Sequence, residues 1–130
     1  MHNSNRLEPW REISSKLASD FEKGDKIYAN NHYVAFRELQ YYLNVISNKG
    51  LKIDFVKDGL TGEKIYLVLT IYDEEEREKI NQAFKKAGYV LKSKNIYVPY
   101  AETVASKLPT KHHKLDQGRV EVYLYLKRRG

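Results

Sequence analysis

The tripeptide KIY occurs twice in this chain, beginning at positions 26 and 64. Each copy places a lysine two residues before a tyrosine, Lys26 before Tyr28 and Lys64 before Tyr66. In a β-strand the two side chains of such a pair point to the same face, because side chains alternate between the faces of a sheet. Aromatic rings stack on nucleic-acid bases while neighbouring cations contact phosphates, so the pattern indicates binding to a single strand.

The overall composition favours an anionic partner. The 130 residues carry a net charge of +6, and they include 11 tyrosines against 4 phenylalanines and 1 tryptophan. A positive excess of this size is typical of proteins that bind nucleic acid. The chain has no cysteine, which excludes disulfide frameworks, thiol catalysis and cysteine-ligated metal sites.

Length and hydropathy predict a single domain. A chain of 130 residues is long enough to build one hydrophobic core. No apolar run approaches the ~20 residues that span a bilayer, so we expect no membrane partner and an intracellular, cytoplasmic protein. The polar residues 1–8 predict a flexible N-terminus.

Periodicity predicts three main helices and five strands. Phe36, Leu39 and Leu43 recur at helical spacing, for example, and apolar residues alternate along the strand that follows Gly62. The predicted helices cover residues 9–23, 34–49 and 73–87, and the predicted strands cover residues 25–30, 51–55, 63–72, 89–100 and 119–127. A short helix over residues 101–108 and a polar loop over 109–118 would precede the last strand.

The segments 25–58 and 63–100 repeat one pattern. A shift of 38 residues, from 26 to 64, matches the KIY copies, the helical stripes and the glycines that end the helices, Gly50 and Gly88. Two such β-α-β units predict an α+β, ferredoxin-like domain, in which a βαββαβ antiparallel sheet carries its helices on one face. The N-terminal helix and the C-terminal strand would be additions to this domain.

The helix-free face of this sheet would carry the binding residues. In the strand 63–72, Ile65, Leu67 and Leu69 form an aliphatic face for the helices, and the alternate residues point away. The same alternation applies to the first and the last strand. The predicted nucleic-acid contacts are Lys26, Tyr28, Lys64, Tyr66, Tyr72, Lys92, Lys94, Tyr123, Tyr125, Lys127, Arg128 and Arg129.

The predicted arrangement resembles the RNA-recognition motif (RRM) family over residues 25–100. Residues 26–31 (KIYANN) are similar to the short motif on the family's first strand. Residues 62–72 (GEKIYLVLTIY) lack the basic, glycine and aromatic pattern of the motif on its third strand. The resemblance therefore implies a sheet that binds bases on central aromatic residues, and it does not imply sequence-selective RNA binding.

No catalytic constellation is visible in the sequence. His112 and His113 are adjacent in a polar loop and would point apart, unlike the paired histidines of HUH endonucleases. A glycine-rich phosphate loop, a Gly-x-Ser-x-Gly elbow and a His-Glu-x-x-His helix are missing. We therefore predict a protein that is not an enzyme and that uses neither a cofactor nor a metal ion.

The sequence thus predicts non-catalytic, largely sequence-independent nucleic-acid binding, with single-stranded DNA or RNA preferred. One alternative is a small interaction or inhibitor protein of a virus or mobile element that docks on a host protein. Another is a winged-helix binder of duplex DNA, with residues 34–49 as its recognition helix and 51–72 as its wing. The tyrosines also have a structural alternative, in which they form ordinary core or the interface of a homodimer.

Overall fold

The computed structural model describes residues 10–30, 35–47, 51–70, 74–97 and 120–128. The helices are α1 (Trp10–Asp20), α2 (Ala35–Tyr42, which continues into a π-helical turn at Leu43–Ser47) and α3 (Glu74–Lys86). The strands are β1 (Lys26–Ala29), β2 (Ile53–Phe55), β3 (Lys64–Thr70), β4 (Tyr89–Tyr97) and β5 (Val120–Lys127). The predicted N-terminus 1–8, helix 101–108 and loop 109–118 lie outside the described residues.

The fold is α+β, as predicted, and it is built on one five-stranded mixed sheet in the order β2-β1-β3-β5-β4. Strand β1 pairs in parallel with both β2 and β3, whereas β5 pairs antiparallel with β3 and β4. The ferredoxin-like arrangement requires antiparallel neighbours throughout, so this strand order differs from the expected one. Two features make the difference. Strand β3 runs in the same direction as its neighbour β1, and β5 lies between β3 and β4.

The same topology excludes the predicted wing. A winged-helix protein would pair β2 and β3 as an antiparallel hairpin, but here β1 lies between them and runs parallel to both. The helix α2 packs against α1 and the sheet with Phe36, Leu39 and Leu43 buried.

The helices α1 and α2 cover one face of the sheet. Trp10, Ile13 and Leu17 recur at the spacing that places them on one side of α1, and all three are buried. Trp10 packs on Phe36 of α2, with ring centroids 5.6 Å apart. The sheet residues beneath these helices are Ile27, Ala29, Ile53, Tyr66, Val68, Val120 and Val122.

The helix α3 covers the opposite face. Its apolar residues Ile80 and Phe84 are buried against the sheet residues Tyr28, Ile65, Leu67, Leu69, Tyr89, Tyr123 and Tyr125. The prediction of a helix-free face is therefore wrong. The sequence of β3 shows why, because residues 65 to 70 are all apolar, tyrosine or threonine and all are buried. Strands that are covered on both faces have such continuous runs.

Candidate nucleic-acid interface

The four described tyrosines of the predicted binding face are covered by protein. Tyr28, Tyr66, Tyr123 and Tyr125 retain only 2 to 6 % of their accessible surface. A ring that stacks on a base needs a free face. The prediction of an open tyrosine platform is therefore wrong for these four residues.

The two KIY copies even face opposite sides of the sheet. In the parallel pairing of β1 and β3, Tyr28 lies beside Leu67 and Tyr66 lies beside Ile27. The copies are thus displaced by one residue in register. Because side chains alternate, a slip of one residue moves each side chain to the other face. Tyr28 consequently packs under α3, whereas Tyr66 packs under α1.

The hydroxyl of Tyr28 holds the loop between β2 and β3. It donates to the carbonyl oxygen of Gly59 at 2.8 Å and accepts from the backbone N–H of Thr61 at 3.0 Å. On the other face, Tyr66 donates to the carbonyl oxygen of Asp20 at 3.3 Å, at the end of α1. Both rings have structural partners at their polar tips.

Tyr123 and Tyr125 lie side by side on β5 beneath α3. Phe84 stacks on Tyr125 with ring centroids 4.4 Å apart and an interplanar angle of 22°. The hydroxyl of Tyr125 donates to Asn81 Oδ1, and that of Tyr123 donates to Glu121 Oε1 at 2.7 Å. Burial, together with the Glu121 carboxylate beside its hydroxyl, raises the pKa of Tyr123 above its ordinary value.

Glu121 forms a buried ion pair that attaches α3 to β5. Its Oε2 lies 2.8 Å from Nη2 of Arg77, and Arg77 also contacts Glu74 at 2.7 Å. Removing one partner of a buried pair typically costs about 3–5 kcal/mol, because the other charge is left without compensation. Both carboxylate oxygens of Glu121 have partners, Tyr123 and Arg77, and its side chain is 3 % exposed, so this carboxylate serves packing.

Lys64, another predicted contact, forms ion pairs with two carboxylates. Its Nζ lies 3.3 Å from Glu22 and 3.4 Å from Asp25. Burial alone would lower the pKa of Lys64, but the Tyr66 hydroxyl and the two carboxylates outweigh burial and raise that pKa. A lysine with these partners must lose them before it can contact a phosphate.

Lys26 lies beside a groove of about 560 Å³ at the start of β1 and β2. Its side chain packs so closely on Gly62 that a Cβ at that glycine would lie 2.8 Å from Lys26 Cγ. The charged residues that line the groove are Lys23, Asp25, Lys26, Lys52 and Asp54. Because Asp54 pairs with Lys52 at 3.8 Å and Asp25 pairs with Lys64, the charge of this groove is mixed.

The remaining described cations of the predicted set keep exposed side chains; these are Lys92, Lys94, Lys127 and Arg128. The first two project from β4, and the other two lie where β5 ends. Tyr72 and Arg129 lie outside the described residues, as do His112 and His113.

Two further lysines join the end of β5. The backbone N–H of Arg128 donates to the carbonyl oxygen of Gly88 at 2.6 Å, directly after the last turn of α3. Lys127 lies over the ring of Tyr89, with Nζ 5.0 Å from its centroid. The last turn of α3 supplies Lys85 and Lys86, both exposed. We call Lys85, Lys86, Lys127 and Arg128 the basic end.

Lys85 and Lys86 lie near the end of the helix predicted over residues 73–87, and neither is among the predicted nucleic-acid contacts. They lie near Lys127 because of the sheet pairing. Tyr89, the first residue of β4, pairs with Lys127 of β5, and only Ala87 and Gly88 separate β4 from the end of α3. Pairing between segments so far apart in sequence leaves no local pattern. Among the described residues, none of the four cations lies within ion-pair distance of a carboxylate.

Other kinds of site receive no support within the described ranges. No three histidine, aspartate or glutamate side chains gather there as a metal site would require. No helix in this part of the chain is long and apolar enough to cross a membrane. Comparison with family models, curated proteins and solved structures gives no match to this chain. The function must therefore be inferred from the residues themselves.

Proposed function

We propose that this protein binds nucleic acid without catalysis, through contacts between the basic end and the phosphate backbone. The observation that carries the proposal is the convergence of four exposed cations from α3 and β5 at one place. None of them is neutralised by a carboxylate of the described chain. Lysine and arginine contacts to phosphates supply most of the affinity of sequence-independent binding.

The ligand chemistry in this proposal is phosphate and not base. Because Tyr28, Tyr66, Tyr123 and Tyr125 are buried, base stacking on these rings is not part of it. Phosphate contacts position a nucleic acid but carry no sequence information directly. We therefore expect binding that depends little on sequence and that accepts both single and double strands.

The test compares two variants that remove the same charge from different places. The first carries Lys85→Gln, Lys86→Gln and Lys127→Gln at the basic end. The control carries Lys23→Gln, Lys52→Gln and Lys57→Gln, which are exposed near the opposite edge of the sheet. Each substitution removes one unit of charge, so both variants fall from +6 to +3. Affinity is measured by fluorescence anisotropy with labelled single- and double-stranded oligonucleotides at several salt concentrations.

The basic-end variant should lose at least tenfold in affinity at low salt. Its slope of log K against log [salt] should also become shallower by about 0.7–0.9 for each lost phosphate contact. The control should stay close to the natural protein. Equal losses in the two variants would show that net charge alone attracts the oligonucleotide. Absence of binding at low salt, or equal binding to anionic lipid vesicles, would contradict the proposal.

A further inference from the structure

The strand β4 forms an edge of the described sheet and is exposed along most of its length. It spans nine residues, and it pairs with β5 on one side only among the described strands. All residues from 90 to 96 are exposed, on both faces of the strand. An edge of this kind presents a row of backbone N–H and C=O groups to which another strand can pair.

The side chains of this edge are unusually apolar for an exposed strand. Val90, Leu91 and Ile96 keep 38 to 46 % of their accessible surface. They occupy both faces, since Leu91 is paired with Tyr125 on the α3 side and Val90 with Leu126 on the other. Aliphatic side chains do not stack on bases, so this edge suits a polypeptide better than a nucleic acid.

The charges of the edge select the kind of polypeptide. Lys92 and Lys94 project from the middle of β4, and neither lies within ion-pair distance of a described carboxylate. Like charges directly opposite each other on paired strands are destabilising, and this disfavours pairing of β4 with a second copy. In an antiparallel pair of β4 strands centred on Ser93, Lys92 would stand opposite Lys94 of the other copy.

Segment 98–119 of the same chain does not complement the positive charge of β4 either. It carries four cations, Lys107, Lys111, Lys114 and Arg119, against two carboxylates, Glu102 and Asp116.

We propose that β4 accepts an extended acidic segment of a partner protein as a sixth strand. Backbone hydrogen bonds provide affinity, carboxylates lie beside Lys92 and Lys94, and apolar side chains cover Leu91 and Ile96. This edge shares no residue with the basic end, and the two meet where Tyr89 pairs with Lys127.

Leu91, Lys94 and Ile96 share one face of β4, because they pair with Tyr125, Tyr123 and Glu121 of β5. The test therefore uses labelled ten-residue peptides in which valine and glutamate follow each other along one face, with threonine at every position of the other face, and control peptides in which lysine replaces each glutamate. Anisotropy should show at least a tenfold preference for the acidic peptide. Lys92→Glu with Lys94→Glu should reverse that preference, and it should leave the circular dichroism spectrum unchanged because both side chains are exposed. In the natural protein, the acidic peptide should also slow amide hydrogen exchange at those residues of 90–96 whose N–H groups point away from β5. The triple variant of the basic end should bind the acidic peptide like the natural protein.

Several results would overturn this inference. Slow exchange in the protein alone, at those amides of residues 90–96 that point away from β5, would mean that its own chain already covers the edge. A dimer at micromolar concentration that Leu91→Lys dissociates would make a second copy the occupant. If the Lys92→Glu, Lys94→Glu variant lost oligonucleotide binding as fully as the basic-end variant, while its peptide preference stayed the same, these lysines would serve phosphates. The two proposals can thus fail independently.

Discussion

Three tyrosines direct their hydroxyls to backbone carbonyls at the ends of loops and helices. The bonds join Tyr28 to Gly59, Tyr66 to Asp20 and Tyr89 to Gly62, at 2.8, 3.3 and 2.6 Å. Phenylalanine would bury the same ring but would leave each carbonyl without this donor. A hydrogen bond of this kind typically contributes about 1 kcal/mol to stability. Tyrosine content in this chain therefore reflects core packing with polar anchors at these positions.

The buried phenol of Tyr125 should make stability depend on pH. Burial raises the pKa of Tyr125 to about 12, from 10.0 for an exposed tyrosine. Below pH 10 the phenol is protonated in both the folded and the unfolded chain, so it contributes no pH dependence. Between pH 10 and 12 only the unfolded chain releases the proton, and the free energy of unfolding falls as pH rises. Over this window the loss is about 3 kcal/mol for one such group.

Urea unfolding of the natural protein and of Tyr125→Phe between pH 8 and 11.5 tests this expectation. The variant loses the bond to Asn81 and should be less stable at pH 8 by about 1 kcal/mol. Its stability should then fall less steeply above pH 10, so the two curves should meet at about pH 11 and then cross. Parallel curves would show that Tyr125 titrates at an ordinary pKa.

At the scale of elements, sequence patterns identified the pieces but not their neighbours. Alternation correctly separated Val120 and Val122 from Tyr123 and Tyr125 on β5, because each strand has only two faces. Helical spacing correctly placed Phe36, Leu39 and Leu43 on one buried face. Strand order and register depend on contacts between segments far apart in the chain. Nothing local showed that β5 inserts between β3 and β4, and this insertion brings Lys127 to the end of α3.

The turn before β3 contains a close backbone approach that a pair of substitutions can measure. Gly59 and Gly62 both have φ of +100°, where residues other than glycine are strained by about 1–3 kcal/mol. A Cβ at Gly59 would meet no atom within 4 Å, whereas one at Gly62 would lie 2.8 Å from Lys26 Cγ. Both alanine variants should lose stability, and Gly62→Ala should lose clearly more.

Thermal and urea unfolding of the two alanine variants provide the measurement, with Gly59→Ala as the control for backbone strain alone. Adding Lys26→Ala to Gly62→Ala removes the side-chain atom that causes the clash. The double variant should therefore recover to about the level of Gly59→Ala, after correction for Lys26→Ala alone. Equal losses for Gly59→Ala and Gly62→Ala would mean that the Lys26 side chain moves aside without cost.

At the scale of the whole molecule, charge is unevenly distributed over the described residues, and α3 shows this most clearly. The helix α3 begins with Glu74, Glu75 and Glu76 and ends with Lys85 and Lys86, an arrangement that suits the helix dipole at both ends. The lysines of its last turn lie where β5 ends with two more cations. Lys85 and Lys86 thus stabilise the C-terminal end of α3 and also contribute to the positive surface at the basic end.

One exposed carboxylate lies close to this surface. The carbonyl oxygen of Glu63 accepts the backbone N–H of Lys127 at 2.7 Å, and Glu63 lies opposite Lys127 where the pairing of β3 with β5 ends. Opposed residues of paired strands share a face of the sheet, so the exposed Glu63 side chain lies on the same face as Lys127. Its negative charge should repel phosphates bound there. We therefore expect Glu63→Gln to raise oligonucleotide affinity by roughly two- to fivefold at low salt. Two unit charges about 4–8 Å apart in water interact by roughly 0.5–1 kcal/mol, which corresponds to this range.

The matched control is Glu38→Gln, an exposed glutamate on α2 across the sheet, and each variant raises the net charge from +6 to +7. Only Glu63→Gln should strengthen binding in anisotropy titrations. Its effect should disappear near 1 M salt, where charges are screened within about 3 Å. Equal gains for both glutamates would assign the attraction to net charge. A gain for Glu38→Gln alone would move the phosphate contacts to the α1 and α2 side of the sheet.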